Sequence, residues 1–209
     1  MVRSYPNIVI TGTPGTGKTT LAQQICEAFT GPTGSRPLRH IDVGTLIKKH
    51  GFHKSYDPEW ETYEVDEDQL LDYLEPHSGG SAPDPQDVDP DACEDARQVS
   101  DDDETRGGLL LDWHTCDAWP ERWADLVIVL RCDHQLLWKR LEKRQYAEKK
   151  IAENNEAEIM GVVAEDARES YAPECIVTLT SENADEMESN VERVIQWIHA
   201  WRQQRGLET

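Results

Sequence analysis

The chain has 209 residues, of which 37% are hydrophobic and 30% are charged, and its formal net charge is −20. That length suits one domain with a full hydrophobic core. Because so acidic a surface repels phosphate, naked nucleic acid is excluded as an expected partner, whereas basic proteins, or a basic patch on a larger particle, are favoured.

The cysteines and the apolar runs indicate the compartment. Five cysteines are present and no CxxC pair occurs, which favours reduced thiols over a disulfide framework. The apolar run near the N-terminus is too short for a signal peptide, and no stretch approaches the length of a membrane span. We therefore expect a soluble, intracellular protein with no membrane partner.

The first half of the chain alternates short apolar runs, typical of buried strands, with stretches of helical spacing. In chain order these predict a strand over residues 7–11, a helix over 19–29, a strand over 38–43 and a helix over 44–50. The aromatic and polar residues 51–63 predict a structured loop. A third helix is predicted to begin at Asp66, whose carboxylate can cap it.

Residues 76–106 differ in composition from the rest of the chain. They hold ten acidic side chains and two arginines, with almost no apolar anchor. Such a segment cannot bury enough surface to offset the entropy lost on ordering, so we predict a disordered acidic insertion. Two interpretations of it remain open: an inert solvated insertion, or an acidic tether for a basic partner.

The second half repeats the alternation of strands and helices. In chain order it predicts strands over residues 108–112 and 125–131, helices from about residue 134 and over about 156–170, a strand over 176–179 and a helix over about 184–205. In the last helix, apolar residues recur at 4-3-4-3 spacing, which is typical of one face packed on a core. The whole pattern predicts an α/β fold with a five-stranded parallel sheet flanked by helices.

A phosphate-binding loop is predicted at residues 12–19. Their sequence, Gly-Thr-Pro-Gly-Thr-Gly-Lys-Thr, matches the pattern G-x-x-x-x-G-K-[ST], follows a predicted strand and opens a predicted helix. The glycines let backbone N–H groups turn inward around phosphate oxygens, and the helix N-terminus adds partial positive charge. In such a loop Lys18 reaches the β- and γ-phosphates of ATP, and Thr19 ligates Mg²⁺.

Titratable residues follow the leucine-rich strand that ends at Asp112. In P-loop folds a hydrophobic strand beside the loop ends in an aspartate that helps to hold Mg²⁺, which predicts this role for Asp112. The alternative is that Asp112 caps the next turn. His114 shares a face with Asp112 if the strand geometry persists, and could orient a water or a substrate hydroxyl; the alternative is a structural histidine. Cys116 is predicted to pack rather than to act as a nucleophile.

Arg140 and Arg144 lie one helical turn apart and therefore share a face. Phosphoryl transfer is catalysed mostly by positioning and by neutralising charge, so both arginines are candidates for that role. The alternative is an ordinary solvated face.

Together these motifs resemble the nucleoside monophosphate kinases and, more narrowly, the adenylate kinase isoenzyme 6 family. The phosphate loop, Asp-Val-Gly at 42–44 and the two arginines carry the broad resemblance. Asp-Trp-His-Thr-Cys-Asp at 112–117 and the charged segment 144–154 carry the narrow one. The resemblance covers nearly all of the chain outside residues 76–106.

The resemblance implies one P-loop NTPase domain over residues 1–209, with a monophosphate-binding segment at 41–65 and a short lid at 143–153. The residues it implies for ATP binding are Gly12, Gly15, Thr16, Gly17, Lys18, Thr19, Thr20, Arg144 and Asn183. Those it implies for catalysis are Lys18, Asp112, His114, Arg140 and Arg144, with Thr19 and Asp112 as ligands of Mg²⁺. Asp42, Gly44 and Lys48 would bind the monophosphate.

Two departures from ordinary adenylate kinases bear on the reaction. Asp112, Trp113 and His114 stand where those enzymes carry an arginine that grips AMP, and Lys48 stands where another AMP-binding arginine is usual. A lysine is a point charge rather than a bidentate fork, so AMP should be held less firmly and water can compete as the acceptor.

The resemblance therefore implies two activities at one site: an adenylate kinase that converts ATP and AMP to two ADP, and a Mg²⁺-dependent ATPase.

The resemblance further implies a ribosome assembly factor in small-subunit RNA maturation, found in the nucleus and cytoplasm. Its implied partners are a basic ribosomal protein of the small-subunit platform and the pre-ribosomal particle. The alternative is an ATPase switch for that protein with little kinase activity. A module that only senses nucleotide is disfavoured by the intact Lys18, Thr19 and Asp112.

Overall fold

The computed structural model describes residues 3–31, 34–57, 62–79 and 107–207. Its strands are β1 (Ile8–Thr11), β2 (Arg39–Asp42), β3 (His53–Asp57), β4 (Thr62–Val65), β5 (Leu109–Asp112), β6 (Leu126–Arg131) and β7 (Ile176–Thr180). Its helices are α1 (Lys18–Ala28), α2 (Val43–His50), α3 (Glu67–Leu74), α4 (His134–Lys143), α5 (Glu148–Met160), α6 (Val162–Ser170) and α7 (Ala184–Gln204).

Five strands form a parallel sheet in the order β2-β5-β1-β6-β7, which confirms the predicted fold class. After β1 the chain adds β2 and β5 on one side of it and then β6 and β7 on the other side. The direction in which strands are added therefore reverses beside β1. In the register, Asp112 of β5 lies opposite Ile10 of β1 and Asp42 of β2. The carboxyl ends of these three strands therefore meet at one edge, where open α/β sheets bind their ligands.

Helices cover both faces of the sheet, so its central strands are buried on both sides. Ile8 and Ile10 of β1 face α1 and α7, whereas Val9 between them faces the layer that contains α2, α3 and α6. This explains the continuous apolar runs of β1 and β5. The predicted inner face of α7 is buried as expected, at Met187, Val191, Val194, Ile198 and Trp201.

Two predicted elements differ in the structure. Within residues 51–63, predicted as a loop, β3 and β4 pair as antiparallel strands; residues 58–61 lie outside the described residues. The helical stretch predicted over about 156–170 is two helices, of which α5 already begins at Glu148. Gly161, at φ 71, ends α5 and precedes α6, because glycine adopts this left-handed conformation without strain.

The disorder predicted for residues 76–106 is wrong for residues 76–79. A short 3-10 turn covers Glu75–His77, and Ser78 is only 1% exposed. The carbonyl oxygen of Ser78 accepts a 2.8 Å hydrogen bond from Asn7 Nδ2, which attaches this segment to the start of β1. Residues 80–106 lie outside the described residues. Among the helices in the described ranges, none is long and apolar enough to cross a membrane.

Candidate active site

The loop between β1 and α1 has the backbone of a phosphate cradle. Gly12, Gly15 and Gly17 all have positive φ angles, of 144°, 99° and 102°. A side chain at Gly12 would also collide with the carbonyl oxygen of Leu130 on β6. These positions therefore require glycine, both for conformation and for space. The first turn of α1 follows directly at Lys18, so its free N–H groups face the loop.

Lys18 folds back over the loop. Its Nζ donates hydrogen bonds to the carbonyl oxygens of Gly12 and Thr13, at 2.8 and 3.3 Å. Burial lowers the pKa of Lys18 to about 8; Asp112 opposes this shift and Arg144 adds to it. The ammonium therefore carries a charge that water solvates poorly, which favours an exchange of the carbonyl partners for phosphate oxygens.

Asp112 lies beside the loop with its carboxylate 5% exposed. Thr19 Oγ1 donates a 2.6 Å hydrogen bond to Asp112 Oδ2, and His40 Nε2 lies 3.2 Å from the same oxygen. The carboxylate thus contacts two side chains from other elements of the fold. Sequence reasoning missed His40, because nothing in the local pattern of β2 indicates a contact with β5.

The donor atoms at this point suit Mg²⁺. A hydroxyl and a carboxylate are hard oxygen ligands, and Mg²⁺ is usually held by one or two carboxylates together with water and substrate phosphates. Within the described ranges, no group of three or more His, Cys, Asp or Glu side chains could hold a metal ion by itself. Thr19 and Asp112 would therefore hold the ion jointly with a bound nucleotide.

His114 is exposed at the mouth of the same site, two residues beyond Asp112. Its carbonyl oxygen accepts a 3.2 Å hydrogen bond from Thr11 Oγ1, and its ring meets the buried Trp113 ring edge-on. Neighbouring protein atoms exclude water from part of the His114 ring, and this desolvation lowers its pKa. The nearby Lys18 ammonium lowers the pKa further. The imidazole is therefore held in its neutral form near pH 7 and can accept a hydrogen bond from a hydroxyl or a water.

Two clefts meet at the phosphate loop. The larger, about 1050 Å³, has a volume suited to a nucleotide; among its lining residues are Gly15, Gly17, Thr20, Arg140, Arg144 and Asn183. The smaller, about 200 Å³, is lined by predicted residues from four parts of the chain: Lys18, Thr19, Asp42, Gly44, Asp112, His114 and Arg144. Arg144 lines both clefts and therefore stands at their junction.

The remaining predicted residues differ in how close they lie to the two clefts. Arg140 donates to the carbonyl oxygens of Gly15 and Glu182, at 3.3 and 3.1 Å, and so links the loop to the segment before α7. Asn183 caps α7 by accepting a hydrogen bond from Glu186 N. Thr16 is buried, and its hydroxyl donates to the Thr13 carbonyl. Lys48 is exposed on the last turn of α2 and is not among the residues that line the two clefts.

The phosphate loop after β1, the carboxylate at the end of β5 and the five-stranded parallel sheet define a P-loop kinase fold. An AAA domain family model matches residues 8–161. Among solved structures, shikimate kinase from Bacteroides thetaiotaomicron superimposes with a TM-score of 0.53, covering 93% of this chain and 98% of its own. Its 14% identity shows the fold alone.

Curated relatives are more similar in sequence. The adenylate kinase isoenzyme 6 homolog of Schizosaccharomyces pombe is 44% identical over 200 residues, which are 96% of this chain and 95% of the relative. The homolog of the same name in Dictyostelium discoideum is 38% identical and covers 95% of each chain. The chain therefore belongs to the adenylate kinase isoenzyme 6 family of nucleotide kinases.

Proposed function

We propose that the chain transfers the γ-phosphoryl group of ATP to AMP, giving two ADP, and that it hydrolyses ATP at the same site when no AMP is bound. The observation that carries this proposal is the small cleft. The lining of this cleft combines Lys18, Thr19, Asp112 and His114 with Asp42 and Gly44, which lie near the start of the proposed monophosphate-binding segment.

The residues of the chain perform this chemistry through position and charge. The loop N–H groups and Lys18 hold the phosphates, while Arg144 neutralises charge on the group in transfer. Thr19 and Asp112 would hold Mg²⁺, which would supply further neutralisation of the phosphate charge. A new bond forms between the acceptor oxygen and the γ-phosphorus, the bond from that phosphorus to the β–γ bridging oxygen breaks, and ADP leaves.

His114 can serve either acceptor in this proposal. Its neutral imidazole stands at the cleft mouth, where it can orient either a water or the acceptor oxygen of a monophosphate. The exposure of Lys48 supports weak AMP binding, because Lys48 is not among the residues that line the two clefts. This favours the alternative that the protein acts mainly as an ATPase switch with little kinase activity.

The cellular setting follows from the charge of the chain together with the family resemblance. A protein of net charge −20 is suited to a basic ribosomal protein of the small-subunit platform, and to a pre-ribosomal particle that carries it. We propose that the ATP cycle times the binding or release of that protein during ribosome assembly, in the nucleus and cytoplasm. Binding measured with ATP and with ADP over a range of salt concentrations tests this; equal affinity in both states contradicts the switch.

The test of the reaction is ADP formation from ATP and Mg²⁺, with and without AMP, on the wild type and on His114→Ala. If AMP raises turnover by orders of magnitude, the adenylate kinase activity is the main activity of the site. If AMP has little effect and His114→Ala abolishes a slow basal hydrolysis while ATP still binds, the switch activity leads. Absence of both activities from the wild type refutes the proposal.

A further inference from the structure

Glu158 is a buried carboxylate that none of the sequence motifs includes. It lies on α5 and is 3% exposed. Oε2 accepts a 2.6 Å hydrogen bond from Thr13 Oγ1, while Oε1 accepts from Arg131 Nε at 2.7 Å and from Cys132 N at 3.2 Å. A second nitrogen of Arg131 donates to the Glu158 carbonyl oxygen. One carboxylate thus joins the phosphate loop, the end of β6 and α5.

The backbone of Thr13 is hydrogen-bonded to other residues of the phosphate loop. Its carbonyl oxygen accepts hydrogen bonds from Thr16 N at 3.2 Å, from Thr16 Oγ1 at 2.9 Å and from Lys18 Nζ at 3.3 Å. Thr13 itself is 2% exposed, so its side chain has little freedom to turn away from Glu158. The orientation of the Thr13 peptide, whose carbonyl oxygen accepts one of the two hydrogen bonds from Lys18 Nζ, therefore depends on a residue 145 positions away in sequence.

The helix that carries Glu158 also belongs to the part of the chain that carries Arg144. Ile151 of α5 packs with Leu137 and Leu141 of α4, and only residues 144–147 separate the two helices. Gly15 of the loop packs closely against Leu137 and Leu141, since a Cβ added there would lie 2.9 Å from Leu137 Cδ1. The phosphate loop therefore contacts the α4–α5 unit at two residues: at Gly15 by apolar packing and by the hydrogen bond from Arg140, and at Thr13 by a charge-assisted hydrogen bond.

The apolar packing at Gly15 and the hydrogen bond at Thr13 constrain the position of the loop to different degrees. Apolar packing tolerates small sliding, whereas a short hydrogen bond from a buried hydroxyl to a carboxylate fixes both distance and direction. The ion pair with Arg131 alone would hold Glu158 in place, so the bond to Thr13 is the part of this network that reaches the site.

We propose that Glu158 is a positioning residue that couples α5 to the phosphate loop through Thr13, so that the binding of Mg·ATP at the loop and the placement of the Arg144 segment are set together. This coupling rests on the nucleotide-binding function proposed above. It acts on the positions of Lys18 and Arg144 and involves no contact between Glu158 and the substrate.

The test uses Thr13→Val, which removes the hydroxyl at nearly constant volume, and Thr13→Ser, which keeps it. Both leave the Arg131–Glu158 ion pair intact, and thermal unfolding verifies that each variant is folded. Thr13→Ala removes the same hydrogen bond without a branched side chain and serves as a second variant. Amide hydrogen exchange of residues 12–19 and 148–160, with and without Mg·ATP, is measured alongside kcat and KM for ATP.

In the wild type, Mg·ATP should slow exchange in both regions. In Thr13→Val and Thr13→Ala, protection of the loop should persist while the added protection of α5 is lost, and kcat should fall about tenfold with KM for ATP within about threefold, in line with one lost hydrogen bond to a charged group. Thr13→Ser should restore both properties.

Three results would overturn the inference. The first is wild-type behaviour of Thr13→Val in exchange and kcat. The second is equal loss of protection in the loop and in α5, which would mean that Thr13 only maintains the fold of the loop. The third is a wild type that Mg·ATP protects in neither region, which would refute the proposed function itself and is recognised before any variant is compared.

Discussion

The hydroxyl of Thr19 and the carboxylate of Asp112 lie 2.6 Å apart, although 93 positions separate them in the chain. They meet because β5 is inserted beside β1 in the parallel sheet, which brings the end of β5 to the first turn of α1. The hydrogen bond between them holds two oxygen ligands ready for one cation. The protein's two oxygen ligands for the proposed Mg²⁺ site are therefore adjacent before nucleotide binds, and the nucleotide would complete the site.

Replacement of Asp112 by Asn should remove Mg²⁺-dependent turnover. The amide keeps the size of the side chain but loses the negative charge, so we expect kcat to fall about 10²- to 10³-fold, the usual effect of losing one preorganised electrostatic group. ATP binding measured in EDTA should change little. Asp117→Asn is the matched control, since Asp117 is exposed and lines neither cleft. Equal loss in both variants would argue against a metal role for Asp112.

Arg140 and Arg144 should give different kinetic defects, although the two residues are one helical turn apart. Arg144 lines both clefts, so Arg144→Ala should lower kcat by about 10²-fold. The guanidinium of Arg140 holds backbone carbonyl oxygens of the loop and of Glu182, so Arg140→Ala should mainly raise KM for ATP. Steady-state kinetics at varied ATP separates the two effects, and a kcat defect confined to Arg140→Ala would reverse the assignment.

The Arg131–Glu158 ion pair should matter for stability. Glu158 is buried, and Arg131→Met would leave its carboxylate without the cation, at a cost of about 3 kcal/mol in the free energy of unfolding. The exposed pair of Arg168 and Glu165 is the control, because Arg168→Ala should change that free energy by less than about 1 kcal/mol. Urea unfolding measures both. Similar losses in the two variants would contradict the distinction.

The buried cysteines should react slowly in the folded chain. Burial raises the pKa of Cys116 to about 12 and that of Cys132 to about 11. Because only the thiolate is nucleophilic, a raised pKa leaves little reactive form at pH 8, and labelling by iodoacetamide should be much slower than in the unfolded chain. Mass spectrometry of native and guanidinium-unfolded samples measures this ratio.

The same shifts set the sign of a stability effect at high pH. The unfolded chain releases these thiol protons at a lower pH than the folded chain does. As pH rises from about 9 towards the pKa values of the folded chain, the free energy of unfolding therefore falls. Rapid labelling of Cys116 in the native chain at pH 8 would instead indicate an accessible thiolate, and would revive the nucleophile interpretation that the sequence disfavours.

Much of the fold follows from local patterns. The apolar runs at β1 and β5 predict strands covered on both faces, and the spacing along α7 predicts the face that is buried. Local patterns fail where two signals conflict. The first residues of α5 are mostly charged, so its start is not predicted as helix. Its buried positions, Ile151, Asn155 and Glu158, nevertheless recur at helical spacing. Cross-strand pairing, rather than composition, makes a hairpin of β3 and β4.

The sequence alone determined the phosphate loop, because its chemistry depends on consecutive backbone groups and on glycines that no other residue can replace at those angles. It also indicated Asp112 and His114 as candidates, because Asp112 ends an apolar strand, as the magnesium-binding aspartate of P-loop folds does, and His114 follows it two residues later. Only the tertiary structure decided which residues contact the phosphate loop and Asp112. His40 reaches Asp112 through the β2–β5 register, and Glu158 reaches Thr13 through the packing of α5. Contacts between elements distant in the chain depend on strand order and helix packing, which no short stretch of sequence encodes.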